Sequence, residues 1–290
     1  MIRVAAAAYP LDWFEDWDGY AAKMESWVGE AAGTGAQILL FPEYGAMELV
    51  SLGNGDGRDL ALATESVIAL MPRATEVLSG LAVKHGVHIV APSGPVRDGD
   101  RVVNRAFLLS PTGGVDHQDK LMMTPWEREP WWITGNGPLK VFDTALGRLA
   151  ILICYDCEFP LLARQAVEAG ADLILIPSAT ETVAGYNRVK IGAMARALEG
   201  QCFTVMSSIT GPYPVDVVDV SHGAGGVFCP PDKGLPPDGV IAVGALDVAG
   251  WTYGDLDPGL LAAVRTGGGT RNRDHWPEQV SYTVTREELT

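Results

Sequence analysis

Three reactive side chains in this 290-residue sequence stand at, or just beyond, the ends of apolar runs. Glu43 follows "LLFP", Lys120 lies in "HQDKLMMTP", and Cys154 ends the run in "GRLAILICYDCEFP". A thiol is a strong nucleophile once its proton is taken, so Cys154 needs a neighbouring base. A carboxylate in a partly apolar site gains proton affinity, which suits Glu43 to take that proton and return it to a leaving amine. A charged ammonium is no base, but Lys120 can hold the oxyanion of a tetrahedral intermediate. Acid, amine and thiol together make a set for acyl transfer from an amide or a nitrile.

The elements that must deliver these groups are short apolar runs alternating with helical patterns. Strands are expected at 2–9, 36–43, 87–94, 138–156 (two), 172–180, 201–209, 224–230 and 240–247, and an antiparallel pair turns at Pro-Thr-Gly-Gly within 102–120. Helical spacing covers 17–35, where Tyr20, Met24, Trp27 and Ala31 share one side. It also covers 59–85, with a break expected near Pro72, then 160–171 behind Pro160, and 185–200. Between them lies a Trp-rich loop at 125–138. The pattern predicts one α/β domain over 1–265 with helices covering sheets, and a polar, glycine-rich C-terminal tail at 266–290 that packs on the domain or at a subunit interface.

Composition narrows the partners. Apolar residues make up 47% of the chain, enough for a large core, and 36 acids against 21 Lys plus Arg leave a net charge of −15. A phosphate backbone or an anionic bilayer wants a basic stripe, and none is visible, so neither nucleic acid nor a membrane surface is expected as a partner. No run approaches the roughly 18 uncharged apolar residues of a membrane span. Four cysteines (Cys154, Cys157, Cys202 and Cys229), mostly inside apolar runs, fit a reduced cytoplasmic protein better than a disulfide framework. The N-terminus reads as a first strand and not as a signal peptide.

These segments, in this order, resemble the carbon–nitrogen hydrolase (nitrilase/amidase) superfamily over most of the chain. "FPE" at 41–43, "HQDKLMMTP" and "GRLAILICYDCEFP" are similar to the segments around that family's catalytic Glu, Lys and Cys. "VNRAFLLSPTGG" resembles its Asn-bearing strand, "ARALEGQCF" its Arg-Ala-x-Glu-Asn-Gln stretch with Gly200 in place of Asn, and "RNRDHWPEQVSY" its tail. The resemblance implies a four-layer α-β-β-α sandwich, a thioester intermediate, and neither metal nor organic cofactor. It makes Glu43 the base and Cys154 the nucleophile, with Lys120 and the backbone N–H of Tyr155 on the oxyanion. A second carboxylate follows the Lys in many members; Glu127 and Glu129 compete for that role, and Glu127 is favoured because it falls two residues after Pro125. Trp126, Glu181 and Tyr186 are candidate substrate contacts. Cys-Tyr-Asp is similar to amidase and carbamoylase branches, whereas nitrilases more usually carry Cys-Trp-Glu. The expected activity is therefore cleavage of a small-molecule amide or carbamoyl group, with nitrile hydrolysis as the alternative, in a homo-oligomer. N-acyl transfer fits less well, because that branch brings membrane spans.

Plainer readings stand beside these. A lone Cys at a strand end is more often packing than catalysis, and a loop lysine is usually solvated. "CYDC" is also a Cys-x-x-Cys, but a zinc site needs a second ligand pair and Cys202 and Cys229 stand apart without nearby histidines. A redox motif needs a helix starting right after the first Cys, and Pro160 places it later. Cys157 is expected to be a pocket or packing residue. Trp126, Trp131 and Trp132 are expected to serve core or interface packing before pocket lining. A non-catalytic binding protein on the same fold and a Cys–His hydrolase are the remaining rivals.

Overall fold

A computed structural model describes residues 1–53, 57–135, 137–215, 218 and 220–289. In chain order its elements are β1 (Ile2–Tyr9), α1 (Trp17–Gly33), β2 (Ile38–Leu40), α2 (Leu60–His85), β3 (His88–Val90), β4 (Gly94–Asp98), β5 (Arg101–Leu109) and β6 (Val115–Asp119). Then come α3 (Pro125–Arg128), β7 (Val141–Thr144), β8 (Gly147–Ile151), α4 (Pro160–Glu168), β9 (Leu173–Ser178), α5 (Val183–Gly200), β10 (Phe203–Ile209) and a small β11 (Gly211–Pro212) with β12 (Val220–Ser221). The chain closes through β13 (Gly226–Phe228), β14 (Val240–Val243), β15 (Gly250–Leu256), α6 (Pro258–Gly267) and α7 (Asn272–His275). Two 3-10 helices matter for the site, Gly45–Leu52 and Cys154–Glu158.

The strands form two leaves of one curled sheet. One leaf runs β4-β5-β3-β2-β1, with β6 on β5 and β15 on β1; the other runs β10-β9-β8-β7, with β13 and β14 continuing beyond β10. The leaves join where β1 and β10 pair in parallel, at Ala8 with Ser208 and Tyr9 with Ile209. Alternation along β1 sends Ala5, Ala7 and Tyr9 toward α1 and α2, and Val4 and Ala6 toward the space between the leaves. The second leaf is covered on its outer side by α4 and α5, through Ala163, Val167, Val189 and Ala193. This is the four-layer α-β-β-α sandwich. Strands buried on both faces explain why the apolar runs are nearly continuous.

Several boundaries differ from expectation. α2 is not broken at Pro72 but runs through it, because Met71, Ala74 and Leu78 hold the helix in the core despite one missing backbone donor. α2 is also long and apolar enough to cross a membrane by length and composition. Its buried side chains, however, recur at three- and four-residue spacing on one face, as in a globular helix. The run 87–94 splits into β3 and β4. β15 and α6 were absent from the expected elements; β15 pairs with β1 from Ile2 to Ala8, and its Gly250, Gly254 and Asp255, residue types that strands disfavour, interrupt the strand-forming Trp251, Thr252 and Tyr253. The Trp-rich stretch contains the short helix α3, and its residue 136 lies outside the described residues, as does residue 290 of the tail. Arg273 of the tail donates to the Val167 carbonyl and Trp276 lies under the Arg164 guanidinium.

Candidate active site

Glu43, Lys120 and Cys154 each lie just past the C-terminal end of a strand, β2, β6 and β8 respectively. The fold brings the first two into direct contact: Lys120 Nζ donates to Glu43 Oε1 at 2.7 Å. Both side chains are 1% exposed. Lys120 is also hydrogen-bonded to both oxygens of Glu127, at 2.8 and 2.7 Å. Glu127 reaches this position because Thr124 caps α3. Thr124 Oγ1 accepts from the Glu127 N–H while Glu127 Oε2 accepts from the Thr124 N–H, a reciprocal box that turns the carboxylate inward. The Tyr44 hydroxyl donates to Glu127 Oε1 at 2.6 Å, and its ring stacks on Trp131 with centroids 4.5 Å apart.

Cys154 is presented by a strained turn. Its φ is +48°, in the left-handed region, which costs a non-glycine residue about 1–2 kcal/mol. The buried Asp156 carboxylate holds the turn, accepting from the N–H groups of Ile153, Leu121 and Met122. One carboxylate thus ties the cysteine turn to the residues directly after Lys120. Ala179, beyond β9, connects the thiol and the acid: its N–H donates to Glu43 Oε2 at 3.1 Å and its carbonyl accepts from Cys154 Sγ at 3.7 Å. Asn104 on β5 donates to Glu43 Oε1 at 3.0 Å.

Burial and charge set the protonation states. Burial pushes the Glu43 carboxyl above its ordinary range; Lys120 opposes this and Glu127 adds to it. Burial works the same way on Glu127, but Lys120 and hydrogen bonds from Tyr44 and Thr124 outweigh it and hold that carboxyl below the usual range. Burial works against the Lys120 ammonium, yet Glu43 and Glu127 overcome it and raise its proton affinity. Burial, then the Glu43 charge, pushes the Cys154 thiol far up. At rest the site therefore holds a thiol, an ammonium and at least one carboxylate.

These four side chains border one cavity of about 230 Å³, with Trp126 and Trp131 as aromatic walls. Glu158, Glu181 and Arg188 supply its charged, more exposed edge, where Arg188 lies 3.5 Å from Glu158.

The model of the carbon–nitrogen hydrolase family matches residues 3–265, nearly the whole chain. The chain belongs to the carbon–nitrogen hydrolase family. Among its curated relatives, the probable hydrolase YhcX of Bacillus subtilis is 32% identical over 271 residues. That match covers 93% of this chain but 52% of the Bacillus protein, so the chain spans about half that relative's length. The deaminated glutathione amidase of Synechocystis is 25% identical over 254 residues, covering 83% of this chain and 87% of that protein. Among solved structures, Nit3 of Saccharomyces cerevisiae, from the nitrilase superfamily, superimposes with a TM-score of 0.72 at 20% identity, covering 91% and 93% of the two chains. A cysteine-to-alanine mutant of the Nesterenkonia AN1 amidase gives 0.72 at 22% identity, covering 96% and 95%.

On this scaffold the other expected residues divide. Tyr155 and Glu181 border the cavity, as does Trp126 despite being 44% exposed. Glu129 does not border it: the residue follows the one-turn helix α3, and its side chain faces solvent while Glu127 points in. Tyr186 is buried on α5 without bordering the cavity. Of the three tryptophans, Trp131 is packed in the core and also walls the cavity, Trp126 borders the cavity, and Trp132 is exposed and does not border it. Cys157 is fully buried, and its sulfur sits where a Cβ on Gly192 of α5 would come within 3.0 Å, a packing position. Among the described residues no three His, Cys, Asp or Glu side chains group as metal ligands. The cavity border contains no histidine among those residues, and His222 is paired with Asp247 at 2.8 Å. Sequence reasoning missed Tyr44, Ser93 and Ala179, and carried Asn104 and Asp156 only as parts of family-like segments, without a role. For Asn104 the signal was available: it alternates with Ala106 and Leu108 on β5, a polar residue at a core-facing position.

Proposed function

We propose that this chain is a thiol amidohydrolase acting on a small linear amide or N-carbamoyl compound. The observation that carries the reading is the contact of Glu43, Lys120 and Glu127 beside Cys154 on a single cavity. The thiol is protonated at rest, so Glu43 must remove its proton as sulfur attacks the carbonyl carbon; its raised proton affinity suits it to that task. Lys120 directs two hydrogen bonds at Glu127, and turning one into the cavity would place it on the developing oxyanion together with the Tyr155 N–H. Protonated Glu43 then gives its proton to the departing amine or ammonia. The same carboxylate activates the water that hydrolyses the thioester. Both Glu127 oxygens are occupied by Lys120, Tyr44 and Thr124, which supports Glu127 as the group that orients Lys120, and not as a second base.

Neither a metal nor an organic cofactor takes part in this scheme. Four free, buried thiols support a reducing, cytoplasmic setting. Exposed Ile191 and Leu198 on α5, with Leu161 on α4, support self-association, which light scattering would read. The functional test is an ammonia-release screen over aliphatic amides, carbamoyl compounds and nitriles with a Cys154→Ala control. Turnover of an amide that disappears in the control is the expected result; turnover surviving in Cys154→Ala removes the thioester route.

A further inference from the structure

Glu43 has two oxygens and about four acceptor positions. Oε1 takes hydrogen bonds from Lys120 Nζ at 2.7 Å and from Asn104 Nδ2 at 3.0 Å, which fills it. Oε2 takes one, from the Ala179 N–H at 3.1 Å. A single acceptor position is left, and it is on Oε2. Ala179 also offers its carbonyl to Cys154 Sγ, so one residue contacts both Oε2 and the thiol, and the thiol is within hydrogen-bonding reach of the Glu43 carboxylate, where Oε2 has the vacant position.

What keeps Oε1 filled is a one-way chain of hydrogen bonds. The Tyr44 N–H donates to Ser93 Oγ at 3.0 Å. The Ser93 hydroxyl, having accepted that bond, donates to Asn104 Oδ1 at 2.7 Å. The Asn104 carbonyl oxygen is thereby committed to Ser93, and its NH₂ must face Glu43. Ser93 and Asn104 are both 0% exposed, so no water competes for these groups. The Asn104 backbone carbonyl also accepts from the Lys120 N–H at 2.9 Å, so one residue on β5 holds the strand end carrying Lys120 and the carboxylate that Lys120 contacts. The chain starts and ends on adjacent residues, Tyr44 and Glu43.

We propose that Asn104, locked in orientation by Ser93, is a positioning residue that reserves Oε2 of Glu43 for proton exchange with Cys154. In that exchange the S–H bond breaks, its electron pair stays on sulfur, and an O–H bond forms at Oε2. Without the Asn104 donor, Oε1 is open to the proton as well, the carboxylate loses a stabilising bond, and its proton is held more tightly.

This deepens the proposed function, since it assigns a task within that same site, but it can be read without any substrate. The measurement is the rate of Cys154 alkylation by iodoacetamide against pH, followed by mass spectrometry of the Cys154 peptide. In the wild type the rate should rise as Glu43 ionises, and Glu43→Gln should remove that rise. Asn104→Ala should move the rise to higher pH by about one unit, the scale of one hydrogen bond to a buried charge. Ser93→Ala leaves the amide in place but free to turn, and should move the rise the same way by less. Thermal unfolding identifies which variants fold. If Asn104→Ala does not, Ser93→Ala carries the test with the same readout. A rise that stays at its wild-type pH in the folded variants, or moves lower, overturns the proposal. Failure of the wild type to hydrolyse any amide would instead count against the proposed function, and the alkylation profile would still decide the role of Asn104.

Discussion

Replacing Glu127 with Gln should make Glu43 a weaker base, and the size of the effect can be worked from the geometry. Oxygens of Glu43 and Glu127 each lie 2.7 Å from Lys120 Nζ, so these two atoms are at most twice that distance apart. Two like charges about 5 Å apart at an effective dielectric of about 20 repel by about 3 kcal/mol. That corresponds to about two pH units in the proton affinity of Glu43. The sign follows from the charge: Glu127 pushes the Glu43 carboxyl up, so removing it lets that carboxyl fall. Lys120, freed from Glu127, also gives its full charge to Glu43. In Glu127→Gln the acid limb of kcat/KM should therefore move to lower pH by one to two units, on the scale of that coupling. The plateau should drop roughly tenfold or more, because the base is weaker and Lys120 is no longer oriented. The assay is kcat/KM against pH for the best amide from the screen. A limb that stays in place or climbs would refute the electrostatic reasoning.

Other perturbations test neighbouring parts of the site. Lys120→Met leaves two buried carboxylates facing each other without their cation; it should abolish turnover and cost about 3–5 kcal/mol in urea unfolding, less if one carboxylate protonates. Asp156 is pushed up to about 7 by burial, above its ordinary value. A carboxyl whose folded value is raised contributes stability at low pH that is lost as pH rises through that value. Thermal stability should therefore decline between about pH 4 and 7 in the wild type and decline less in Asp156→Asn. Asp156→Asn should also unfold at lower temperature throughout, because its amide N–H₂ faces a backbone N–H that the carboxylate had accepted. A wild type with flat stability over that range would remove the raised affinity from the account.

Residue type and position marked the candidates, and the resemblance of their segments to one family is what grouped them. Glu43, Lys120 and Cys154 stand out because strand ends are where a buried sheet hands the chain to the surface, and a reactive group there is placed for use. The α/β class was legible too, since apolar runs alternate with helix-period segments, whereas the four-layer order came from the resemblance to a known family. Legibility failed where local signals conflict with packing. Pro72 should have broken α2, yet the core contacts of Met71 and Leu78 outweigh one lost hydrogen bond. β15 was hidden because its two glycines and Asp255 break the strand pattern, and pairing with β1 supplies what local propensity lacks.

By itself, the sequence offered candidates, a thiol, an amine and acids at or beyond strand ends, on apolar runs and helix-period segments that call for helices packed on a sheet. Tertiary structure decided where those acids sit relative to the amine. Glu127 and Glu129 differ by two positions, but only the residue three after Thr124 can complete the cap of α3 and so turn onto Lys120. Likewise, Asn104 is 61 residues from Glu43, and its bond to that carboxylate exists only because β5 is brought beside β3 in the folded sheet. The physical reason is that side-chain chemistry is a property of a residue, whereas proton affinity and hydrogen-bond direction belong to its surroundings, which arise only when distant strands meet and water is excluded.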